Sequence, residues 1–272
     1  MNFWGGMWYH KTMKDIKCFL LDMDGTVHLS GQVFDGAAAA IKRMRAQGRV
    51  FFITNSTWFS REEQAIKLQK MGIPATADDV YNAGKATADF LAESFFGKKV
   101  FVLGTEALKE EIEKNGLSIC RGDLQSPEDV GIAVVSFDPE LDFKKLTVVC
   151  DLIRAGVPYV VTHPDFNYPI AGGYLPDAGG NLALVRACTG VEPIAVCGKP
   201  HKPLAKGVAR LVGCKPHEVA MFGDRLMTDI RFANDNGFRA VLVLTGEATK
   251  ADLEKSDVVA DVILDSLADW DS

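Results

Sequence analysis

Cys18-Phe19-Leu20-Leu21-Asp22-Met23-Asp24-Gly25-Thr26 is an apolar run that ends abruptly in two acids and a glycine. Four consecutive apolar residues without polar alternation mark a strand covered on both faces. Similar runs recur at Val50–Ile53, Val100–Leu103, Ile132–Val135, Tyr159–Val161, Ile194–Val196, Val219–Phe222 and Ala240–Leu244. Longer amphipathic stretches with helix signals separate them. Ser60-Arg61-Glu62-Glu63 reads as a capping box, with Gly72 and Pro74 closing the helix that follows. Helices are likewise expected to end at Gly213 and Gly237. Strand and helix in alternation predict an α/β fold: a Rossmann-like, doubly wound parallel sheet with helices on both faces.

In such a sheet the ligand lies beyond the carboxyl ends of the strands. Asp22 and Asp24 leave the first strand at that edge, and residues two apart on extended backbone point the same way. Two neighbouring carboxylates repel unless a cation or a proton lies between them. A divalent metal or a nucleophile–acid pair explains them, although an Asp-Gly turn with solvated acids fits this segment alone. Thr54-Asn55-Ser56 follows the run Val50–Ile53 and can donate hydrogen bonds to an anion, or simply lead into the helix at Ser60. Gly198-Lys199-Pro200 follows the strand expected at Pro193–Cys197 and offers a fixed cation. Gly223-Asp224-Arg225-Leu226-Met227-Thr228-Asp229 follows Val219–Phe222 and supplies two further acids. Hard oxygen donors in this number suit Mg²⁺. Together the four motifs offer a nucleophile, a neighbouring acid, neutral anion donors, a cation and metal carboxylates, each expected after a strand of one sheet.

Composition narrows the function classes. The chain has 272 residues, 47% apolar and 24% charged, with 30 Lys and Arg against 36 Asp and Glu, a formal net charge of −6. This is a globular composition, too apolar for disorder, with no apolar stretch long enough for a membrane span. The acidic balance argues against a nucleic-acid partner. The six cysteines at 18, 120, 150, 188, 197 and 214 are scattered, without C-x-x-C pairs. Free thiols and a cytoplasmic location are expected. Residues 1–13, with Trp4, Trp8 and Tyr9, lack the pattern of a signal peptide and are expected to be a flexible extension.

The ordered set of motifs resembles the haloacid dehalogenase-like superfamily, whose pattern is D-x-D-G-T, then Thr or Ser, then Lys, then G-D-x-x-x-x-D. The Thr-Asn form with Gly-Lys-Pro and Gly-Asp-Arg-x-x-Thr-Asp is most similar to the NagD-like, 4-nitrophenylphosphatase-type branch. The 144-residue gap from Asn55 to Lys199 matches a large C2-type cap inserted between the second and third motifs. The implied organisation is a discontinuous core of 14–83 and 193–272 with an inserted α/β cap of 84–192. The resemblance implies a Mg²⁺-dependent phosphatase acting on a small phosphomonoester through an aspartyl-phosphate. Asp22 is then the nucleophile and Asp24 the general acid and base. Mg²⁺ is held by the Asp22 carboxylate, the Asp24 backbone carbonyl and Asp224, with Asp229 in support. Thr54, Asn55 and Lys199 hold the phosphoryl oxygens. Thr162-His163-Pro164-Asp165-Phe166-Asn167-Tyr168-Pro169 resembles a cap loop that ordinarily carries Asn-Pro-Asp, and His163 stands here in place of that Asn. His163, Asp165 and Tyr168, with Asp177 from Pro176-Asp177-Ala178-Gly179-Gly180, are the candidate cap residues for substrate.

Competing readings are a phosphotransferase or mutase on the same scaffold, and a phospho-Asp receiver. Receivers are about half this length and carry their acidic pair before the phosphorylated strand. No G-x-G-x-x-G follows the first strand, and Gly198-Lys199-Pro200 lacks the remainder of a P-loop, which disfavours a dehydrogenase and a P-loop kinase. The partner expected is a small phosphorylated metabolite. Exposed apolar positions on the cap are the surface a homodimer would use, though nothing in the sequence requires one.

Overall fold

A computed structural model describes residues 13–121, 126–170 and 172–270. The expected flexible extension thus falls outside the described residues up to position 12, and Met13 opens a short 3₁₀ turn, Met13–Asp15. The chain divides into two compact units: Met1–Phe52 with Val212–Ser272, and Ile53–Leu211. The second interrupts the first in sequence, and these contact boundaries lie outside the 84–192 interval inferred from motif positions. No helix among the described residues is long and apolar enough to cross a membrane.

In the first unit, β1 (Cys18–Leu21) is buried at every residue, as its unbroken apolar run requires. It pairs in parallel with β13 (Val219–Gly223) on one side and β4 (Arg49–Thr54) on the other. β14 (Arg239–Val243) and β15 (Val262–Leu264) continue the parallel order β15-β14-β13-β1-β4. Leu21 stands opposite both Phe222 and Phe52. The chain therefore leaves β1 and β13 at one edge of the sheet, at Asp22 and Asp224. A short hairpin, β2 (His28–Leu29) with β3 (Gln32–Val33), follows the first motif. Helix α1 (Ala37–Gln47) buries Ala37, Ala40, Ile41 and Met44, a stripe at helical spacing. α8 (Arg231–Asn236) ends at Gly237 in the left-handed region, as expected, and α9 (Lys250–Glu254) is capped by Thr249. Phe222 and Trp270 meet edge to face at 5.1 Å in the core of this unit.

The second unit has its own five-stranded sheet, in the order β12 (Ala195–Val196), β9 (Tyr159–Val161), β8 (Ile132–Val135), β6 (Lys99–Leu103), β7 (Ser118–Ile119), all parallel. Side chains alternate across it. Val100, Val102, Ile132 and Val134 pack with α3 (Ala83–Ser94) and α4 (Glu106–Lys114). Phe101, Leu103, Ala133 and Val135 pack with α5 (Phe143–Arg154) and α6 (Ala178–Thr189). Helix α2 (Arg61–Lys70) begins with the expected capping box, in which Ser60 and Glu63 exchange hydrogen bonds of 2.8 and 3.1 Å. β5 (Val80–Asn82), the hairpin of β10 (Asn167–Ile170) and β11 (Gly173–Pro176), and α7 (Lys202–Val212) complete the unit.

One expectation is corrected. The strand before Lys199 does not lie in the sheet of β1 and β13, because β12 pairs with β9 in the other sheet. Its paired part is only two residues long, Ala195–Val196, and a short apolar run carries no signal of which sheet it joins.

Candidate active site

Asp22, Asp224 and Asp229 converge in the first unit, with one carboxylate oxygen from each within 4.8 Å of the other two. All three are buried, between 1% and 8% exposed. Strand register brings the first two together, since the Asp22 N–H donates to the Phe222 carbonyl at 2.9 Å, one ladder step before Gly223-Asp224. Asp229 lies in a π-helical turn, Leu226–Ile230, and its Oδ2 accepts from the Arg225 N–H at 3.1 Å. Asp224 is oriented by the Glu247 N–H, which donates to Oδ2 at 2.8 Å, and by the Thr26 hydroxyl at 3.4 Å from Oδ1.

Two glycines make room for this carboxylate. Gly25 turns the chain at φ +92, and a Cβ there would lie 2.4 Å from Asp224 Oδ2. A Cβ on Gly246 would lie 1.9 Å from the same oxygen. Three buried carboxylates this close repel unless a cation or protons lie among them. A donor set of hard oxygens fits a divalent ion such as Mg²⁺.

The Asp24 carboxylate stands outside this group. It is partly exposed and lies 3.4 Å from Nδ1 of His28, which is fully buried. His28 is a neighbour that the sequence reading missed. Its position four residues beyond Asp24, after a Gly-Thr turn, is the only signal that could have suggested it.

In the second unit, Thr54, Asn55, Ser56 and Thr57 are all buried where β4 ends. The Thr54 hydroxyl accepts from the Ser56 N–H at 3.1 Å. The Asn55 amide holds the Lys199 peptide: Oδ1 accepts from the Lys199 N–H at 2.8 Å, and Nδ2 donates to the Lys199 carbonyl at 3.2 Å. Nδ2 also reaches Asp165 Oδ2 at 3.1 Å. Lys199 is 2% exposed, and its ammonium donates to the Ile53 carbonyl at 2.9 Å, one residue before Thr54. The structure thus brings Thr54, Asn55 and Lys199 together. Beside Lys199, burial pushes the Cys197 thiol up to about 12, so it is no thiolate nucleophile at neutral pH.

The candidate cap residues separate into two groups. Tyr168 belongs to an aromatic cluster, edge-on to Trp58 at 5.4 Å and 6.0 Å from Phe137. Trp58 also contacts Phe137 at 5.0 Å and stacks on Phe59 at 5.5 Å. Trp58 and Phe137 were not anticipated, although Trp58-Phe59 lies only three residues beyond Asn55. His163, Asp165 and Asp177 form a second cluster whose ligand-bearing atoms lie within 4.8 Å of one another. Asp177 is also the cap of α6, with Oδ1 accepting from the Ala178 N–H at 2.7 Å. The six cysteines are all free, with Cys18, Cys150 and Cys197 buried.

Comparison with known proteins places the chain in a family. A family model described as haloacid dehalogenase-like hydrolase matches residues 19–118, and a second, HAD-hydrolase-like, matches residues 196–270. An acid sugar phosphatase of Staphylococcus saprophyticus is 33% identical over 247 residues, covering 90% of this chain and 93% of that protein. The crystal structure of a 4-nitrophenylphosphatase from Thermotoga maritima superposes with a TM-score of 0.87 at 33% identity, covering 95% of this chain and 97% of the other. A glycerol phosphate phosphatase from Mycobacterium tuberculosis, crystallised in complex with magnesium, gives a TM-score of 0.86 at 31% identity over 94% of this chain and 77% of that one.

Proposed function

This chain belongs to the haloacid dehalogenase-like hydrolases, in the NagD-like, 4-nitrophenylphosphatase-type branch, and from that premise we propose that it is a Mg²⁺-dependent phosphatase of a small phosphomonoester. The observation that carries the reading is the buried group of Asp22, Asp224 and Asp229 at the end of β1 and β13. Asp22 and Asp224 would hold the ion through their carboxylates and Asp24 through its backbone carbonyl, with Asp229 in support. When bound, the ion supplies positive charge that offsets the repulsion between the carboxylates and an anionic phosphate.

In the first step an Asp22 oxygen attacks phosphorus, and the bond from phosphorus to the leaving alcohol oxygen breaks. Asp24 gives its proton to that oxygen. In the second step Asp24 takes a proton from a water whose oxygen attacks the aspartyl-phosphate. This releases inorganic phosphate and restores the Asp22 carboxylate. Lys199 and the Thr54 hydroxyl hold the phosphoryl oxygens, where negative charge spreads in the transition state. Asn55, whose side-chain amide is engaged with Lys199 and Asp165, acts by placing Lys199 rather than by donating to the phosphoryl group itself. Selection of the leaving group is assigned to the insert, residues 84–192, with Tyr168 of the aromatic cluster as its contact.

The test is hydrolysis of 4-nitrophenyl phosphate by the wild type and Asp22→Asn, with Mg²⁺ and with chelator, reading both nitrophenol and inorganic phosphate. Equal release of both products, lost with Asp22→Asn and with chelator, is expected. Undiminished activity in Asp22→Asn overturns the proposal, and nitrophenol released without inorganic phosphate in the presence of an acceptor sugar favours phosphoryl transfer. A panel of sugar phosphates, nucleotides, phosphoglycolate and pyridoxal phosphate then sorts the substrate.

A further inference from the structure

His163 is 1% exposed, yet neither of its ring nitrogens makes a hydrogen bond. Each nitrogen faces a carboxylate instead: Nδ1 lies 3.6 Å from Asp165 Oδ2, and Nε2 lies 3.4 Å from Asp177 Oδ1. Both contacts are longer than a charge-assisted N–H···O bond, which closes to about 2.7–2.9 Å. Ligands arranged tetrahedrally around an ion at about 2.0–2.1 Å stand about 3.3–3.4 Å apart.

We propose that His163, Asp165 and Asp177 form a second metal site, separate from the Asp22 group, that binds a transition-type divalent cation of the Zn²⁺ class. One imidazole nitrogen ligates together with one oxygen of each carboxylate, atoms that lie within 4.8 Å of one another, and the other ring nitrogen keeps its proton. A mixed nitrogen and carboxylate set favours such an ion over Mg²⁺ or Ca²⁺, which prefer all-oxygen shells.

The surroundings hold the ligands in place. The Asn55 amide donates to Asp165 Oδ2 at 3.1 Å, and the Ala178 N–H donates to Asp177 Oδ1 at 2.7 Å. Gly179 lets the start of α6 press against the ligand loop, since a Cβ there would lie 2.2 Å from the Pro164 carbonyl oxygen. Solvent reaches the group at Asp165, whose side chain is 11% exposed. The bound ion would tie the loop after β9 to the cap of α6 and, through Asn55, to the Lys199 peptide. The site does not depend on the phosphatase reading.

Co²⁺ serves as the probe, titrated into the full chain in excess Mg²⁺ and followed by visible absorption, with metal counted by mass spectrometry. The expected result is one equivalent of Co²⁺ with a low-symmetry visible band. His163→Gln and Asp177→Asn are expected to weaken it by about tenfold or more, while Asp224→Asn leaves it in place. Circular dichroism checks that the variants are folded. If His163→Gln does not fold, the more conservative Asp177→Asn, which keeps a capping oxygen, decides the question. A wild type without stoichiometric Co²⁺, or a band that Asp224→Asn removes and Asp177→Asn leaves, overturns the proposal.

Discussion

Asn55 grips the backbone of Lys199 at both of its peptide groups, accepting its N–H at 2.8 Å and donating to its carbonyl at 3.2 Å, across 144 residues of sequence. The ammonium of the same lysine is bound to the Ile53 carbonyl at 2.9 Å. The cation therefore has its backbone and its tip fixed by two consecutive regions of the same strand end. Truncating Asn55 to Ala leaves the charge of Lys199 but releases its backbone. We expect kcat/KM for 4-nitrophenyl phosphate to fall by about a hundredfold, about 2.7 kcal/mol of transition-state stabilisation. A change below about threefold would show that Lys199 is placed without Asn55.

Asp24 is assigned a proton-transfer role, and that role has a leaving-group signature. A 4-nitrophenolate departs without a proton, whereas an alkoxide does not. In Asp24→Asn the first turnover with 4-nitrophenyl phosphate should still give a burst of nitrophenolate. Single-turnover cleavage of an alkyl phosphate should slow by about 10²–10⁴-fold. Equal losses on both substrates, measured by rapid quench, would count against Asp24 as the acid.

The cradle around Asp224 predicts an effect of a single methyl group. In Gly246→Ala the new Cβ would meet Asp224 Oδ2 at 1.9 Å, so the carboxylate or the loop has to move. The Mg²⁺ concentration for half-maximal activity should rise by about tenfold. The overpacking should also cost about 1–3 kcal/mol of stability in a denaturant titration. Wild-type metal dependence in this variant would mean that Asp224 does not set metal affinity.

The thiols divide by burial. Iodoacetamide at pH 8 should modify exposed Cys188 first, and should reach Cys18, Cys150 and Cys197 only after unfolding, as peptide mapping would report. For Cys197, unfolding restores a pKa near 9.0, while the folded thiol keeps its proton until about 12. Its stabilising contribution is therefore whole below pH 9 and is lost as pH rises from 9 toward 12. The slope is on the order of 1.4 kcal/mol per pH unit for this one thiol. Cys197→Ala should flatten that part of the stability–pH curve, and an unchanged slope would refute the assignment.

Much of the fold was legible because its signals are local. The unbroken apolar runs at Cys18–Leu21 and Ile132–Val135 could be read as fully buried strands, and Ser60 and Glu63 could be read as a capping box from their spacing. Among the strands that escaped notice, Asn167–Ile170 is exposed at both ends and half-buried between them, and Val262–Leu264 is only half-buried. In the site, Asp22 and Asp224 were legible as strand-end acids and Asp229 as the acid five residues beyond, and the three do converge. His28 was not, since a buried histidine beside Asp24 has no sequence pattern of its own.

The sequence by itself determined the order of the motifs, the alternation of strand and helix, and the family they resemble. Each of these depends on residues within one turn or one strand of each other. Only the tertiary structure decided that β12 joins the sheet of β9, that Asn55 spends its amide on Lys199 and Asp165, and that His163 lies between Asp165 and Asp177. Those outcomes depend on strand pairing and hydrogen bonds between segments far apart in the chain. A two-residue strand such as Ala195–Val196 offers the same apolar face to either sheet, and an amide or imidazole has the same chemistry whichever partner it meets. The choice among partners is made by packing, which no short stretch of sequence contains.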